Sequence, residues 1–358
     1  MAIPTNTATT YDVRGNREGL TNRIYLLSPT KTPIFSAIGT ERAKARVHEW
    51  QEDELTAASV TNRHQEGDDT AANAITPTNR RGNPLQIFKK SPRVSGTQQA
   101  IVSAGRSNEM GYQVAKQAQE IKRDIEATIL ANLPGTNTTA GTDVNDPDQG
   151  TQDASGRALA GLATWLRDTS FAITESSGGT AATGVAAAAA IGTAGFPEAA
   201  ADLDAATLEP LNENVFMDLY SGVWNEGGEP DCAVMNRLVK NRFSALDGNA
   251  PARIDAYGRA REEGFDIYST DYGAIEVIPH RFMHVGENAN TTGSYLYLID
   301  KQRLGVAYLR NFKLTPLAKT GDSDHKELLA ELTLKVSNIK AHGILTGIDN
   351  TVAPVALS

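Results

Sequence analysis

The chain has one cysteine, Cys232, among 358 residues, so no intrachain disulfide can form and no thiolate zinc cluster can be built from it alone. Flanked by Asp231 and the apolar stretch to Met235, Cys232 reads as a packed small residue rather than a reactive thiol. Long apolar runs are missing too. No stretch approaches the roughly 20 residues of a membrane span, and Met1 to Tyr11 is Thr-rich, with neither a basic start nor an apolar core. Positive charge is in deficit: 34 Lys and Arg stand against 43 Asp and Glu, a net charge of -9. That balance excludes a protein that grips nucleic acid through a broad basic surface. Also absent are a Walker phosphate loop, a G-x-G-x-x-G fingerprint, a G-x-S-x-G elbow and an H-E-x-x-H pair, so the strongest enzyme signatures are missing. His280 and His284 are four apart, but they flank the end of a strand after Pro279 and read as packed or solvated histidines. No catalytic, metal or cofactor site is expected.

At this length the chain should divide into lobes. Residues 1–40 read as an extended arm with one short helix, Arg17 to Leu27, ended by Ser28-Pro29 and Thr32-Pro33. Leu20, Ile24 and Leu27 make a small apolar stripe on it that must dock elsewhere. Over residues 41–100, two charged strands, Arg42 to Leu55 and Leu85 to Gln98, flank a polar stretch and read as a long hairpin with a wide tip. A ribbon of this kind is marginal in water, and a connector of about thirty residues is unusual inside a compact domain. It is therefore expected to lie on a neighbouring subunit, with a flexible surface loop as the alternative. Its acidic groups, Glu52 to Glu54 and Glu66 to Asp69, then either pair with cations of an adjoining subunit or are solvated.

The clearest helix spans Ser107 to Asn132, where Met110, Val114, Ala118, Ile121, Ile125 and Ile129 recur at three- and four-residue spacing. Ser107 is its expected N-cap, and Lys122 and Glu126 are spaced as an i,i+4 pair. Residues 101–205 form a lobe on this spine, with a Gly-, Ala- and Thr-rich insertion from Thr136 to Asp204. That insertion is broken by Arg157 to Ile173, which carries Leu159, Leu162, Trp165 and Leu166. Residues 206–319 read as a compact mixed lobe. A helix carries Leu211, Val215, Leu219 and Val223 and is closed by Gly227-Gly228. A strand from Asp231 to Met235 precedes a short helix capped by Asn236 and ended at Asp247-Gly248. Further strands are expected at 274–278, 295–300, 304–309 and 313–317. In residues 320–358 the alternation from Leu328 to Val336 favours a long strand over a helix.

The order of arm, charged hairpin, spine helix, compact lobe and returning strand resembles the Hong Kong 97 coat fold of tailed-phage major capsid proteins, an α+β architecture. Asn16 to Leu20 before Leu27-Ser28-Pro29 and Thr32 to Phe35 look like the arm, and His48-Glu49-Trp50 like the first hairpin strand. Glu229 to Asn236 and Gly273 to Pro279 are similar to the axial domain, and His325 to Ile348 looks like the final strand and tail. The resemblance implies a homo-oligomeric shell of pentamers and hexamers in a virion, assembled in the host bacterial cytoplasm and enclosing double-stranded DNA without sequence-specific binding. It implies no membrane and no cofactor. A scaffold is expected as a separate protein, alongside portal and decoration proteins, because no long segment precedes Arg17. A wall that lets packed DNA slide gains from weak or repulsive contact, which suits the negative charge. The expected interface residues are Arg17, Leu20, Ile24, Arg42, Lys44, Arg46, Glu49, Glu52, Asp53, Glu54, Lys89, Lys90 and Arg93. The alternatives are a nanocompartment shell enclosing cargo enzymes, which shares the fold, and a soluble enzyme or binding module.

Overall fold

In the computed structural model, the described residues are 24–56, 58–67, 75, 77–101, 103–135, 156–166, 195, 197, 209–211, 213–246, 267–270, 272–283 and 293–349. In chain order they form α1 (Pro33–Ala37), β1 (Gly39–Arg42), β2 (Val47–Glu52), β3 (Asn79–Pro84), β4 (Gln86–Lys90), β5 (Arg93–Ser95), α2 (Gly96–Ala100), α3 (Glu109–Leu130) and α4 (Leu162–Trp165). There follow β6 (Glu209–Pro210), α5 (Glu213–Asn225), β7 (Cys232–Met235), α6 (Arg237–Phe243), β8 (Ile267–Thr270), β9 (Gly273–Pro279), β10 (Gly293–Ile299), β11 (Leu304–Pro316), β12 (Ser323–Val336) and β13 (Gly343–Asp349).

Two sheets and a ribbon result. The first sheet runs β1-β11-β12-β4, with β5 also on β12; the second runs β6-β13-β10-β7-β9-β8; β2 and β3 pair only with each other. Period-two patterning decides what each strand buries. In β12, Leu328, Ala330, Leu332, Leu334 and Val336 all enter the main core, as the strand reading requires. In the second sheet both faces are covered, so the apolar run Cys232 to Met235 is buried throughout. Cys232 and Val234 face the spine helix, while Ala233 and Met235 face a second core under α5 and α6.

The spine α3 brings Ile121, Ile125, Ile129 and Leu130 into the main core. It begins one residue later than expected, because its cap is Asn108, not Ser107: the Asn108 side chain accepts the Gly111 N–H at 2.8 Å. Glu126 does not serve Lys122. It is fully buried and accepts the N–H groups of Ile34 (3.0 Å) and Phe35 (2.7 Å), the otherwise unpaired donors at the start of α1. Its Oε1 also meets His280 Nε2 at 2.7 Å, while His280 Nδ1 accepts the Phe282 N–H, so the imidazole proton sits on Nε2 and is donated to Glu126. One carboxylate thus joins arm, spine and second sheet. Tyr297 adds a second tie by donating its hydroxyl to the Leu130 carbonyl at 2.7 Å. Gly161 lets α4 approach the end of α3, since a Cβ there would lie 2.0 Å from the Ala131 carbonyl oxygen. The expected closure of α5 is present, with Gly227 at φ +89°.

Several expectations are corrected. Residues 24–27 are not helical, and the rest of the expected arm helix lies outside the described residues. The partner of β2 is β3, not Leu85 to Gln98; Gln86–Lys90 and Arg93–Ser95 instead join β12 in the first sheet. The expected strand from Arg42 to Leu55 is two, because β1 pairs in parallel with β11 before the chain turns into β2. The strands expected at 304–309 and 313–317 are one bulged strand of the first sheet, β11. The helix after Asn236 ends at Phe243, and the Asp247-Gly248 turn, His284 and most of the 136–204 insertion lie outside the described residues.

Replacing Glu126 by Ala orphans two backbone donors and the His280 N–H, and is expected to cost about 3 kcal/mol in urea unfolding; a change below about 0.5 kcal/mol would contradict the joint. His342 is fully buried, its Nδ1 accepting the Asp300 N–H, and burial, with Arg303 nearby, pushes its pKa down to about 3. The unfolded chain takes up a proton below the ordinary histidine value of about 6.5 that the folded chain refuses until near 3. This contribution to stability is therefore complete above 6.5 and is lost as pH falls toward 3, at up to about 1.4 kcal/mol per pH unit. His342→Asn should flatten the pH dependence of the unfolding midpoint across that window.

Candidate assembly surfaces

The ribbon β2–β3 is rooted firmly and ends in the open. At the root, the Trp50 ring lies 5.5 Å from that of Trp165, and the Leu85 N–H donates to the Arg46 carbonyl. Asn83 is fully buried between ribbon and body: its Nδ2 donates to the carbonyls of Leu334 (2.7 Å) and Ala160 (3.2 Å), and its Oδ1 accepts the Ala160 N–H (2.9 Å). Along the ribbon, Arg80 pairs with Glu49 at 2.5 Å and Arg81 with Glu52 at 3.0 Å. Burial raises the Glu52 carboxyl above its ordinary pKa in spite of Arg81. Beyond Glu52 the described side chains out to residue 67 are exposed, and Leu55, Val60 and Ile75 lie almost wholly in solvent. These three large aliphatics on an otherwise polar tip have no partner among the described residues and offer a contact surface.

Lys340 sets where that ribbon leaves the body. Its Nζ meets Glu54 Oε2 at 2.8 Å and Glu226 Oε2 at 3.1 Å, so one ammonium clamps the ribbon to the end of α5. Hydrogen bonding to Glu54 raises the Lys340 pKa. Nearby, Glu41 accepts from Lys335 (2.9 Å) and His48 (2.6 Å). Burial pushes the Glu41 carboxyl up, but these partners outweigh it and hold the pKa below the ordinary value.

Two further surfaces are uncovered. In the arm, Ile24, Tyr25, Leu26 and Leu27 belong to no helix or strand and are exposed, Leu27 completely. In the first sheet, β1 covers the outer edge of β11 only from Gly305 to Tyr308. Beyond it, among the described residues, β11 has an open edge that carries the part-exposed Leu309, Phe312 and Leu314. Where β1 parts from β11 a cleft of about 590 Å³ opens, lined by Thr40, Glu41, Arg42, Tyr308, Leu309 and Asn311. Open edges with apolar side chains are templates for another chain.

The expected interface residues scatter over these surfaces. Arg17 and Leu20 lie outside the described residues; Ile24 is on the exposed arm; Arg42 and Lys44 are exposed, Arg42 beside the cleft. Arg46 is half-buried at the ribbon root. Glu49, Glu52 and Glu54 have cations of their own chain, which corrects the expectation that they await a neighbour's; Asp53 accepts only the Glu54 N–H, Glu66 is exposed, and Asp68 and Asp69 lie outside the described residues. Lys89 and Lys90 are on β4, not on the ribbon: Lys89 is exposed, and Lys90 pairs with Asp124 of the spine at 2.7 Å. Arg93 is held by Ser323 Oγ and the Thr320 carbonyl. Sequence reasoning missed Asn83 and Lys340, whose partners are 251 and 286 residues away and have no local signature. The open edge had a signal in the run Leu309 to Leu314, which lacks the clean alternation of a half-buried strand. Among the described residues no group of three or more His, Cys, Asp or Glu is placed to hold a metal, and no helix is long and apolar enough to cross a membrane.

A family model described as SU10 major capsid protein matches residues 3–349. A curated major capsid protein of Escherichia phage Phieco32 is 35% identical over 162 residues, which is 45% of this chain and 44% of that protein, so the match spans under half of the relative's length. Among solved structures, the capsid of the native GTA particle superimposes with a TM-score of 0.59 at 13% identity, covering 96% of this chain and all of that one. A chain from Microbacterium phage Oxtober96 gives 0.56 at 10% identity, covering 95% of this chain and 96% of that one. These structures share the Hong Kong 97 coat fold, and at such identities they carry the fold alone.

Lys340→Ala is expected to raise protease sensitivity in residues 53–67 while changing global stability by less than about 1 kcal/mol, since both ion pairs are part-exposed. An unchanged cleavage rate would show that the clamp does not hold the ribbon.

Proposed function

Because the chain belongs to the SU10 major capsid protein family, we propose that its copies close into pentamers and hexamers and build the icosahedral head shell of a tailed bacteriophage around double-stranded DNA. Assembly takes place in the host cytoplasm, and the protein resides in the virion alongside portal and decoration proteins. The role is structural and has no catalytic step. The net charge of -9 suits a wall that contains DNA without gripping it.

The observation that carries this reading is the ribbon: a root fixed by Trp50 and Asn83, and a tip that exposes Leu55, Val60 and Ile75. Burying a large aliphatic side chain is worth roughly 2 kcal/mol, so a tip lying on the next copy gains several kcal/mol at every contact of the shell. Glu49, Glu52 and Glu54 are engaged at home, which leaves the exposed aliphatics as the main source of attraction at the tip. The exposed arm and the open β11 edge supply further contacts of the same kind.

Electron microscopy of the expressed chain tests the shell, and a monodisperse monomer would contradict it. Leu55→Asp with Val60→Asp tests the ribbon: the thermal unfolding of the subunit should not change, and shells should be lost. Normal shells from that variant would remove the tip from the interface.

A further inference from the structure

Among the described residues, the second sheet and its helices α5 and α6 carry opposite charge at the two ends of β7 and β9. At one end, the turn between β8 and β9 places Tyr272 against α5: its ring stacks on Tyr220 at 5.5 Å, and Trp224 lies 5.3 Å from it. Trp224 and Tyr272 stay 49% and 41% exposed, forming an aromatic ledge on the surface. Among the described residues, carboxylates outnumber the cations around it. Glu226 is held by Lys340, and Asp231 and Glu276 by Lys301. Asp218, on the outer side of α5, and Glu229, whose charge is felt at the Tyr220 hydroxyl, are both exposed and have no cation among the described residues.

At the other end, Arg237 opens α6 and Arg281 follows β9. The His280 N–H donates to the Met235 carbonyl at 2.7 Å, which fixes the two segments side by side. Both arginines are exposed and have no carboxylate among the described residues. Lys240 and Arg242 add positive charge along α6, which contains no acidic residue. Asp349, two strands away across β10, has interactions of its own within the chain.

Strands β7 and β9 run parallel from the acidic end to the basic end, and the seven residues of β9 separate the two by roughly 20 Å. The ledge and the arginines of one copy therefore do not meet each other. They are the two unlike surfaces that a head-to-tail contact needs, and such a contact closes into a ring when its rotation allows. We propose that in the assembled ring the acidic aromatic ledge of each copy receives the Arg237 and Arg281 end of the next copy. The guanidinium planes lie over Trp224 and Tyr272, and Glu229 and Asp218 pair with them. This rests on the shell-building reading and names the partner of a surface that reading leaves open.

Charge reversal tests it in the full-length chain. Arg237→Glu with Arg281→Glu makes every such contact acid on acid, and Asp218→Lys with Glu229→Lys makes every one base on base. Each pair of changes should leave the subunit folded by circular dichroism and thermal melting, and should abolish shells seen by electron microscopy. All four changes in one chain restore opposite charges and should restore shells. Mixing the two reversed chains should allow only strict alternation, which an even ring accommodates and an odd ring cannot, so six-membered rings should form without closed heads. Shells from either reversed variant, or no recovery when the four changes are combined in a folded chain, would overturn the pairing alone. A wild-type chain that forms no shells would overturn the shell reading and the pairing with it.

Discussion

A single buried carboxylate organises this subunit. Glu126 sits in the apolar stripe of the spine helix, where a charge is tolerated only if its lone pairs are occupied, and they are: two backbone donors from the arm and one imidazole from the second sheet. The donors come from segments 92 and 154 residues away, so the carboxylate defines how three stretches of chain are set against each other. An apolar residue there would bury as well but would specify no direction. With the joint made, the core of the first sheet and one face of the second are continuous. What lies beyond it, the arm before α1 and the ribbon past Glu52, is what the body does not bury.

A lone copy is consequently unfinished in a specific way. Among the described residues, its interior is closed on both faces of the second sheet, while the aliphatics at the ribbon tip, residues 24–27 of the arm and one edge of β11 remain wet. Soluble monomers blunt such edges with charge, proline or short strands. Here the edge is long and part-apolar, which is a liability for a monomer and an asset for a protein whose neighbours are always present. The local charges of the ribbon fit the same view, because among the described residues Glu49, Glu52 and Glu54 are paired within the chain and leave the ribbon's own contact with a neighbour mainly to shape and burial.

Legibility in the sequence followed the range of the interactions. The spine, α5, the Asn236 cap and the alternation of β12 could be read because each is a local pattern of period 3.6, period two or a turn residue. The partner of the first ribbon strand could not. Gln86–Lys90 is as strand-like as Asn79–Pro84, and only the partner β12, more than 230 residues on, decides between sheet and ribbon. The same holds for the charged residues. Lys89 and Lys90 are charges on a strand in any one-dimensional reading, and it takes the fold to put Lys90 beside Asp124. The order of the segments carried the architecture, whereas the identity of the contact residues depended on pairings across the chain.

Cys232 is buried in β7, and its thiol is pushed up to about 12 by the surrounding apolar packing, so it stays protonated and inert at neutral pH. The shell therefore comes with a silent background for sulfhydryl chemistry. A cysteine placed anywhere on the exterior would be the sole reactive thiol per copy, and a dye or tether attached there would report on that position alone, repeated with the symmetry of the particle.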